Sequence, residues 1–217
     1  MKTFPEQIVA RGDTRFYVSD EGDLYVLREM YEMNVYQVEI VPGMKVLDIG
    51  AHKGIFSVWA AKQGAEVTAY EPGPDTYQVL LRNLALNGVD VEARNLGVWS
   101  GRNTLTFYRD PENSIGSSFY QRRVGSVAEC QVSVESFDEV LGSSEWDLVK
   151  IDAEEAEYEM LLSSNRLGQI KYLTLEWHCP TGQKDCPELY RTVDKLKQFF
   201  DVPPVDLTWR VLSMKRK

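Results

Sequence analysis

Basic charge is in deficit in this chain of 217 residues, with 24 Lys and Arg against 33 Asp and Glu and a formal net charge of −9. That balance excludes general electrostatic binding to a phosphate backbone, although a local basic spot remains compatible with it. No apolar run approaches the roughly 18 residues that a membrane span needs, so no membrane partner is expected. Cysteine is scarce. Cys130, Cys179 and Cys186 are three, an odd number and widely spread, which argues against a disulfide framework and for a reducing compartment. Met1–Asp13 carries no signal-type apolar core, and a cytoplasmic location is the expectation. Repeats, low-complexity tracts and Pro/Gly/Ser-rich linkers are absent too. What is present is a globular mixture, 43% hydrophobic and 11% aromatic, long enough to bury one sizeable core.

From about residue 45, short apolar runs alternate with helical patterns. The runs are Lys45–Ile49, Ala65–Tyr70, Val89–Ala93, Asp147–Ile151 and Tyr172–Glu176. Tyr77, Leu80, Leu81 and Leu84 fall at i, i+3, i+4 and i+7, predicting a helix that opens after Pro74–Asp75 and stops at Asn87–Gly88. Leu189, Val193, Leu196 and Phe200 predict a second helix, begun at Pro187. This alternation implies an α/β fold, Rossmann-like and doubly wound, with a mostly parallel sheet between helical layers. Two stretches break the rhythm: 103–134, read as strands Thr104–Tyr108 and Ala128–Val134 around a polar loop, and 202–214, read as a closing strand or hairpin. Residues 1–40 read as a cap, with strands at Arg15–Val18 and Leu24–Val26 and a helix through Tyr36, on a single globular unit over 41–217.

Val46–Gly54 puts a glycine-bearing turn between the first buried strand and a helix. In a doubly wound sheet a nucleotide-like ligand binds there, at the carboxyl ends of the strands. Gly50 lets the backbone approach a ligand, and Gly54 lets the helix start against the strand. A dinucleotide fingerprint needs G-x-G-x-x-G. Here Ala51 replaces the middle glycine and an acid, Asp48, precedes the loop, which suits a ligand with a cationic amino group better than a pyrophosphate. The spacing makes a dehydrogenase a distant reading. Glu71 follows Asp48 by 23 residues and ends the second strand before Pro72. An acid at that position accepts ribose hydroxyls. Loop, spacing and acid together indicate an adenosine-type ligand.

Asp152, Glu154, Glu155, Glu157 and Glu159 form an acidic run after the fourth central strand. Helix-dipole complementarity alone accounts for several of them, but Asp152 and Glu154 directly follow the strand and belong at the crevice. Lys150, inside the strand, needs a partner, with Asp152 or Glu154 as candidates. The chain has two histidines, His52 and His178, each just past a central strand. The near-neutral pKa of imidazole makes His178 the expected general base, while Glu176 either orients it or forms pocket wall. A divalent metal held by Asp152 and Glu154 through oxygen ligands is an alternative use of these acids, but they lack a recognisable ligand spacing, and Cys179-x6-Cys186 is too sparse for zinc, so no metal is assigned. Asn113–Ser118 suits a substrate lid, and Arg122 and Arg123 add a basic spot beside it.

Val46–Gly54, Tyr70–Pro74, Leu81–Gly88, Val132–Asp138, Val149–Glu157 and Leu173–His178, in this order, resemble the class I S-adenosylmethionine-dependent methyltransferases, and within them the FkbM family. Lys150-Ile-Asp-Ala-Glu154 followed by Glu157 is the most family-specific of these segments. The resemblance implies that Asp48, Gly50, Ala51 and Gly54 line the amino-acid and sulfur end of S-adenosylmethionine, in a cofactor-binding loop that here also carries His52. It also implies that Glu71, followed by Pro72, holds the ribose and that Asn95 lies near the adenine. His52 stands where the family usually has Asn, and Glu155 where it usually has Gly. The implied activity is O-methylation of a small molecule or glycan; from their positions at the strand ends, Lys150, Asp152, Glu154 and His178 are the residues expected at its reaction centre. A methyltransferase for RNA or protein is the alternative, without the basic stripe or the Asn-Pro-Pro-Tyr motif it would want; a non-catalytic relative is another.

Overall fold

The computed structural model describes residues 6–110, 114–121, 127–179, 186–205 and 210–217. The chain opens with a hairpin, β1 (Gln7–Arg11) and β2 (Thr14–Val18). Helix α1 (Glu21–Arg28) follows and continues as a π-helical turn over Glu29–Met33. Leu24–Val26 therefore lies in a helix rather than a strand. The reason is a capping box: Asp20 accepts from the Asp23 amide, and the Asp23 carboxylate accepts from the Asp20 amide. The helical stretch ends at Asn34, whose φ of 47° is left-handed, short of the expected Tyr36.

The central layer then forms in order: β3 (Lys45–Ile49), α2 (Ile55–Lys62), β4 (Glu66–Tyr70), α3 (Pro74–Asn87) and β5 (Val91–Arg94). A side sheet follows from β6 (Gly97–Trp99), β7 (Asn103–Arg109) and β8 (Ala128–Ser136). The chain returns through α4 (Phe137–Leu141), β9 (Trp146–Ile151), α5 (Ala156–Ser163), β10 (Ile170–Glu176) and α6 (Pro187–Leu196), and closes with β11 (Phe200–Asp201) and β12 (Val211–Arg216). The main sheet runs β11-β12-β10-β9-β3-β4-β5, parallel from β10 to β5, with β12 antiparallel to β10. This is the doubly wound sheet expected, with the anticipated closing strand, β12, set between β10 and the short edge strand β11.

Successive strand residues face opposite sides of the sheet. Val46 packs with Phe56, Val58, Leu80 and Leu84, whereas Leu47 and Ile49 pack with Met160, Leu161, Leu189 and Val193. The strand order reverses about β3, so the carboxyl ends of β3 and β9 open into a cleft.

Helix α3 follows its start and stop signals, Pro74 at the first turn and Gly88 in the left-handed conformation after Asn87. Its inward stripe differs from the expected one, because Leu81 is exposed and Leu80, Asn83, Leu84 and Asn87 are buried. The two asparagines pair with strand backbone. Asn83 Oδ1 accepts from Tyr17 N at 2.8 Å, Asn87 Oδ1 accepts from Arg15 N at 2.9 Å, and Asn87 Nδ2 donates to Arg15 O at 2.6 Å. The N-terminal hairpin is docked on α3 by these amides, a signal that hydrophobic periodicity does not carry. No disulfide joins the three cysteines, and Cys186 is buried at the start of α6. Asn113, Arg122 and Arg123 lie outside the described residues. No helix among the described residues is long and apolar enough to cross a membrane.

Candidate active site

A cleft of about 1060 Å³, its open mouth included, lies over the carboxyl ends of β3, β4, β9 and β10. Its first wall is the glycine loop. Gly50 has φ of 75°, and a Cβ there would lie 1.7 Å from the Asp152 carbonyl oxygen, so only glycine lets β3 turn beside β9. The Gly50 and Ala51 amides both donate to Tyr70 O at 3.0 Å, locking the loop onto the end of β4. Gly54, also left-handed, starts α2 against Leu80. Gly50, Ala51 and His52 line the cleft; Gly54 shapes it from behind.

Glu71 and Pro72 form the next stretch of wall. Glu71 Oε1 accepts from Gly73 N at 2.7 Å, and Oε2 accepts from His52 N at 2.9 Å. Burial pushes this carboxyl up to about 7, against those two amides, which favour the anion. Asn95 Nδ2 donates to the backbone oxygens of Glu71 and Pro72 at 2.9 and 3.1 Å. It does not line the cleft; it holds the turn that does.

Asp48 departs from its expected role. It is 0% exposed, Ser57 donates to its Oδ2 at 2.6 Å, and Lys150 Nζ lies 3.2 Å from its Oδ1. A carboxylate so neutralised beneath the loop does not face a ligand in the cleft. Lys150 donates to Gly50 O at 2.8 Å and lies 3.5 Å from Asp152 Oδ2. Burial opposes its charge, yet Asp48 and Asp152 hold its pKa above the ordinary lysine value. With its donors directed at these three groups, Lys150 ties loop to strand. Its partners are Asp48 and Asp152, not Glu154.

The second wall is acidic. Asp152, Glu154 and Glu176 line the cleft, and Glu29 reaches in from the N-terminal segment. Tyr36 donates to Asp152 Oδ2 at 3.2 Å. Burial alone would raise Asp152, but Lys150 and His178 hold it below the usual range. Burial lifts Glu176 to about 8, with Asp152 adding to the rise. Burial and then Asp152 raise Glu29 as well, the Tyr25 hydrogen bond opposing. Glu154 and Glu155 take left-handed φ values of 50° and 79°, which for residues with a Cβ costs on the order of 1 kcal/mol each. The Glu155 side chain is buried and accepts from Ser118 Oγ at 3.0 Å, which ties this strained turn to the segment over the cleft.

His178 is buried behind this wall and does not line the cleft. Glu157 Oε1 accepts from its backbone amide at 2.7 Å and lies 3.2 Å from its Nδ1. Burial opposes its charge, but Glu154, Glu157 and Asp152 raise its pKa to about 10. An imidazole that keeps its proton at neutral pH is no general base, so that expectation is corrected: the acids that flank it were read one by one along the chain, and the fold gathers them round one ring.

His52 Nε2 lies 2.9 Å from Ser114 Oγ, which itself donates to Asp20 Oδ2 at 2.9 Å. Burial, then Lys53, lowers the His52 pKa to about 4, so the ring is neutral. Lys53 in turn binds Asp20 and Asp23 at 3.0 and 2.6 Å. These contacts tie the expected lid segment and the N-terminal segment to the glycine loop. Tyr25, Glu29 and Tyr36 line the cleft although no motif marks them.

The family model described as the methyltransferase FkbM domain matches residues 48–200, more than half of the chain. The chain belongs to the FkbM methyltransferase family. Methyltransferase sdnD of Sordaria araneosa is 28% identical over 216 residues, covering 82% of this chain and 83% of that protein. Hexuronic acid methyltransferase AglP of Haloferax volcanii is 27% identical over 183 residues, covering 81% and 74%. A putative rRNA-methylase from Clostridium thermocellum superimposes with a TM-score of 0.51 at 10% identity, over 92% of this chain and 97% of that one. Pyrococcus abyssi tRNA (uracil-54, C5)-methyltransferase, solved with S-adenosyl-L-homocysteine, also gives 0.51 at 16% identity, over 96% of this chain and 44% of that one. At such identities the structural likeness shows the fold, that of the class I methyltransferases. This FkbM protein is a methyltransferase by family, with its cleft at the strand ends where that fold binds its ligands.

Proposed function

We propose that this FkbM methyltransferase moves a methyl group from S-adenosylmethionine to a hydroxyl of a small molecule or sugar. The observation that carries the reading is the asymmetry of the cleft: a glycine loop and a buried acid on one wall, a rim of carboxylates on the other. The residues fit the methyl donor. Each Glu71 oxygen accepts one backbone amide and keeps a second acceptor site for a ribose hydroxyl. Gly50, Ala51 and His52 bring main chain close to the amino-acid end, and Leu96, Val98 and Phe107 supply apolar wall for a purine.

S-adenosylmethionine, when bound, supplies an electrophilic methyl group on a sulfonium sulfur. The carboxylates of Asp152, Glu154 and Glu176 favour positive charge in that space and accept hydrogen bonds from the acceptor. Glu154 takes up the proton that the hydroxyl gives up, because it lines the cleft and His178 does not, whereas burial keeps Glu176 mainly protonated at neutral pH. Lys150 holds the Gly50 loop against β9, keeping the two walls in register, and orientation of this kind accounts for roughly 7–11 kcal/mol of a bimolecular barrier. The relative that acts on a hexuronic acid and the net charge of −9 both favour a small acceptor over a nucleic acid.

Calorimetric titration with S-adenosylhomocysteine tests the donor, and transfer of isotope-labelled methyl to a panel of sugars, polyols, amines and RNA tests the acceptor. Saturable binding with label on a small-molecule oxygen is expected. No affinity for S-adenosylhomocysteine, or label on RNA alone, overturns the reading.

A further inference from the structure

Ligand atoms of Asp152, Glu154 and His178 lie within 4.8 Å of one another, and Glu176 Oε1 is 3.7 Å from His178 Nε2. With metal–ligand bonds of about 2.0–2.2 Å, adjacent ligands stand about 3 Å apart and opposite ones about 4 Å. Small side-chain adjustments therefore suffice to close this group round one ion.

His178 is the observation beyond the acidic cluster itself. Its side chain is only 8% exposed. Glu157 Oε1 faces Nδ1 at 3.2 Å and accepts from the same residue's amide. A carboxylate on Nδ1 fixes the ring and leaves Nε2 as the ligating nitrogen, the arrangement seen behind metal-bound histidines. Nε2 looks into the cluster, 3.5 Å from Glu154 Oε1 and 3.7 Å from Glu176 Oε1. Those are ion-pair distances, not good hydrogen bonds. The carboxylates hold a proton on this ring, and a divalent cation among them takes that proton's place on Nε2. Glu157 is wholly buried and its Oε2 has no hydrogen-bond partner among the described residues, so this support comes from a side chain with no other evident task.

We propose that Asp152, Glu154 and His178 bind one divalent cation at the floor of the cleft, with Glu176 beside it. Two carboxylates and one imidazole suit a cation that accepts mixed oxygen and nitrogen ligands and leaves positions open for others; Mn²⁺ is the natural probe. Asp152 and Glu154 line the cleft, so an acceptor hydroxyl reaches the open positions and loses its proton more readily there. That role rests on the hydroxyl-methylation reading, whereas binding of the cation does not.

The test is titration of the metal-stripped full chain with Mn²⁺, followed by calorimetry and by pulsed electron paramagnetic resonance of the bound ion. One saturable site per chain is expected, with nitrogen coupling that disappears in His178→Gln. Affinity is expected to fall at least tenfold in Glu154→Gln, and the site to be lost in the Asp152→Asn, Glu154→Gln double variant. S-adenosylhomocysteine titration of the same variants reports whether the cleft is intact, and separates failure of the cation site from failure of the cofactor reading. Absence of saturable Mn²⁺ binding at millimolar concentration in protein that binds S-adenosylhomocysteine overturns the proposal. So does a site indifferent to Glu154→Gln, or one without nitrogen coupling.

Discussion

The β3–β4 wall and the β9–β10 wall of the cleft face the same space and are held differently. The first is mainly backbone: amides of Gly50, Ala51 and His52, pinned to Tyr70 O and Glu71, with one buried acid aimed inward. The second is side chain, with Asp152, Glu154 and Glu176 on its surface and His178 behind them. Main-chain geometry is indifferent to most substitutions but intolerant of a Cβ at the wrong place. A carboxylate cluster is the reverse, tolerant in shape and sensitive to every charge.

Gly50→Ala attacks the backbone wall and carries the largest expected effect. The new Cβ meets the Asp152 carbonyl at a left-handed φ, so strain and displacement of β9 together cost about 3 kcal/mol. Urea unfolding measures this, and a loss under about 1 kcal/mol would mean that the two walls are not in contact as described.

Glu71→Gln sharpens the contrast by changing charge without shape. Loss of charge-assisted bonds to ribose weakens S-adenosylhomocysteine about 10–100-fold, at roughly 1.5–3 kcal/mol. The wild type adds a pH signature. Because burial raises Glu71 to about 7, the accepting anion is the minor form at pH 6 and the major one at pH 8, and affinity rises about tenfold across that interval. Glu71→Gln flattens the profile in calorimetry. The sign for stability is opposite: between the ordinary glutamate value of 4.5 and about 7 the folded chain holds a proton that the unfolded chain has released, so this group's contribution falls as pH rises.

His52→Asn keeps a residue that tolerates the left-handed φ of 51° and removes the contact with Ser114. Stability should change by less than about 1 kcal/mol, while amides of 114–121 exchange faster in hydrogen-exchange mass spectrometry. Unchanged exchange would show that Glu155 and Asp20 hold the segment without His52. Glu155→Asn has the smallest expected effect, since relief at φ 79° roughly offsets the lost Ser118 bond at about 1 kcal/mol. Glu155→Val at the same φ should lower the melting temperature, and equal melting of the two variants would dismiss backbone strain as the issue.

The β3–β4 wall was readable because it is local. Gly50, Gly54 and Glu71 act within a single strand-turn-helix-strand unit, where hydrogen-bonding and steric demands are expressed at short spacing. The family segments extended that reading to the whole parallel sheet. Asp48 was the exception: its neighbours in sequence gave no sign that Lys150, from a strand laid beside it, would neutralise it. Asn83 is buried and Leu81 exposed, against the expected stripe, for a similar reason, because the hairpin that covers α3 offers backbone groups to amides rather than an apolar face to leucine.

Sequence by itself determined the alternation of strands and helices, the turn that only glycine permits and the acid that closes it, since each depends on backbone sterics over a few residues. Tertiary structure decided which charges meet. Strand order carries Glu154, Glu157, Glu176 and His178 to one point, and the low dielectric and the neighbouring charges there set how firmly Glu176 and His178 hold their protons, which depends on distances no linear spacing encodes.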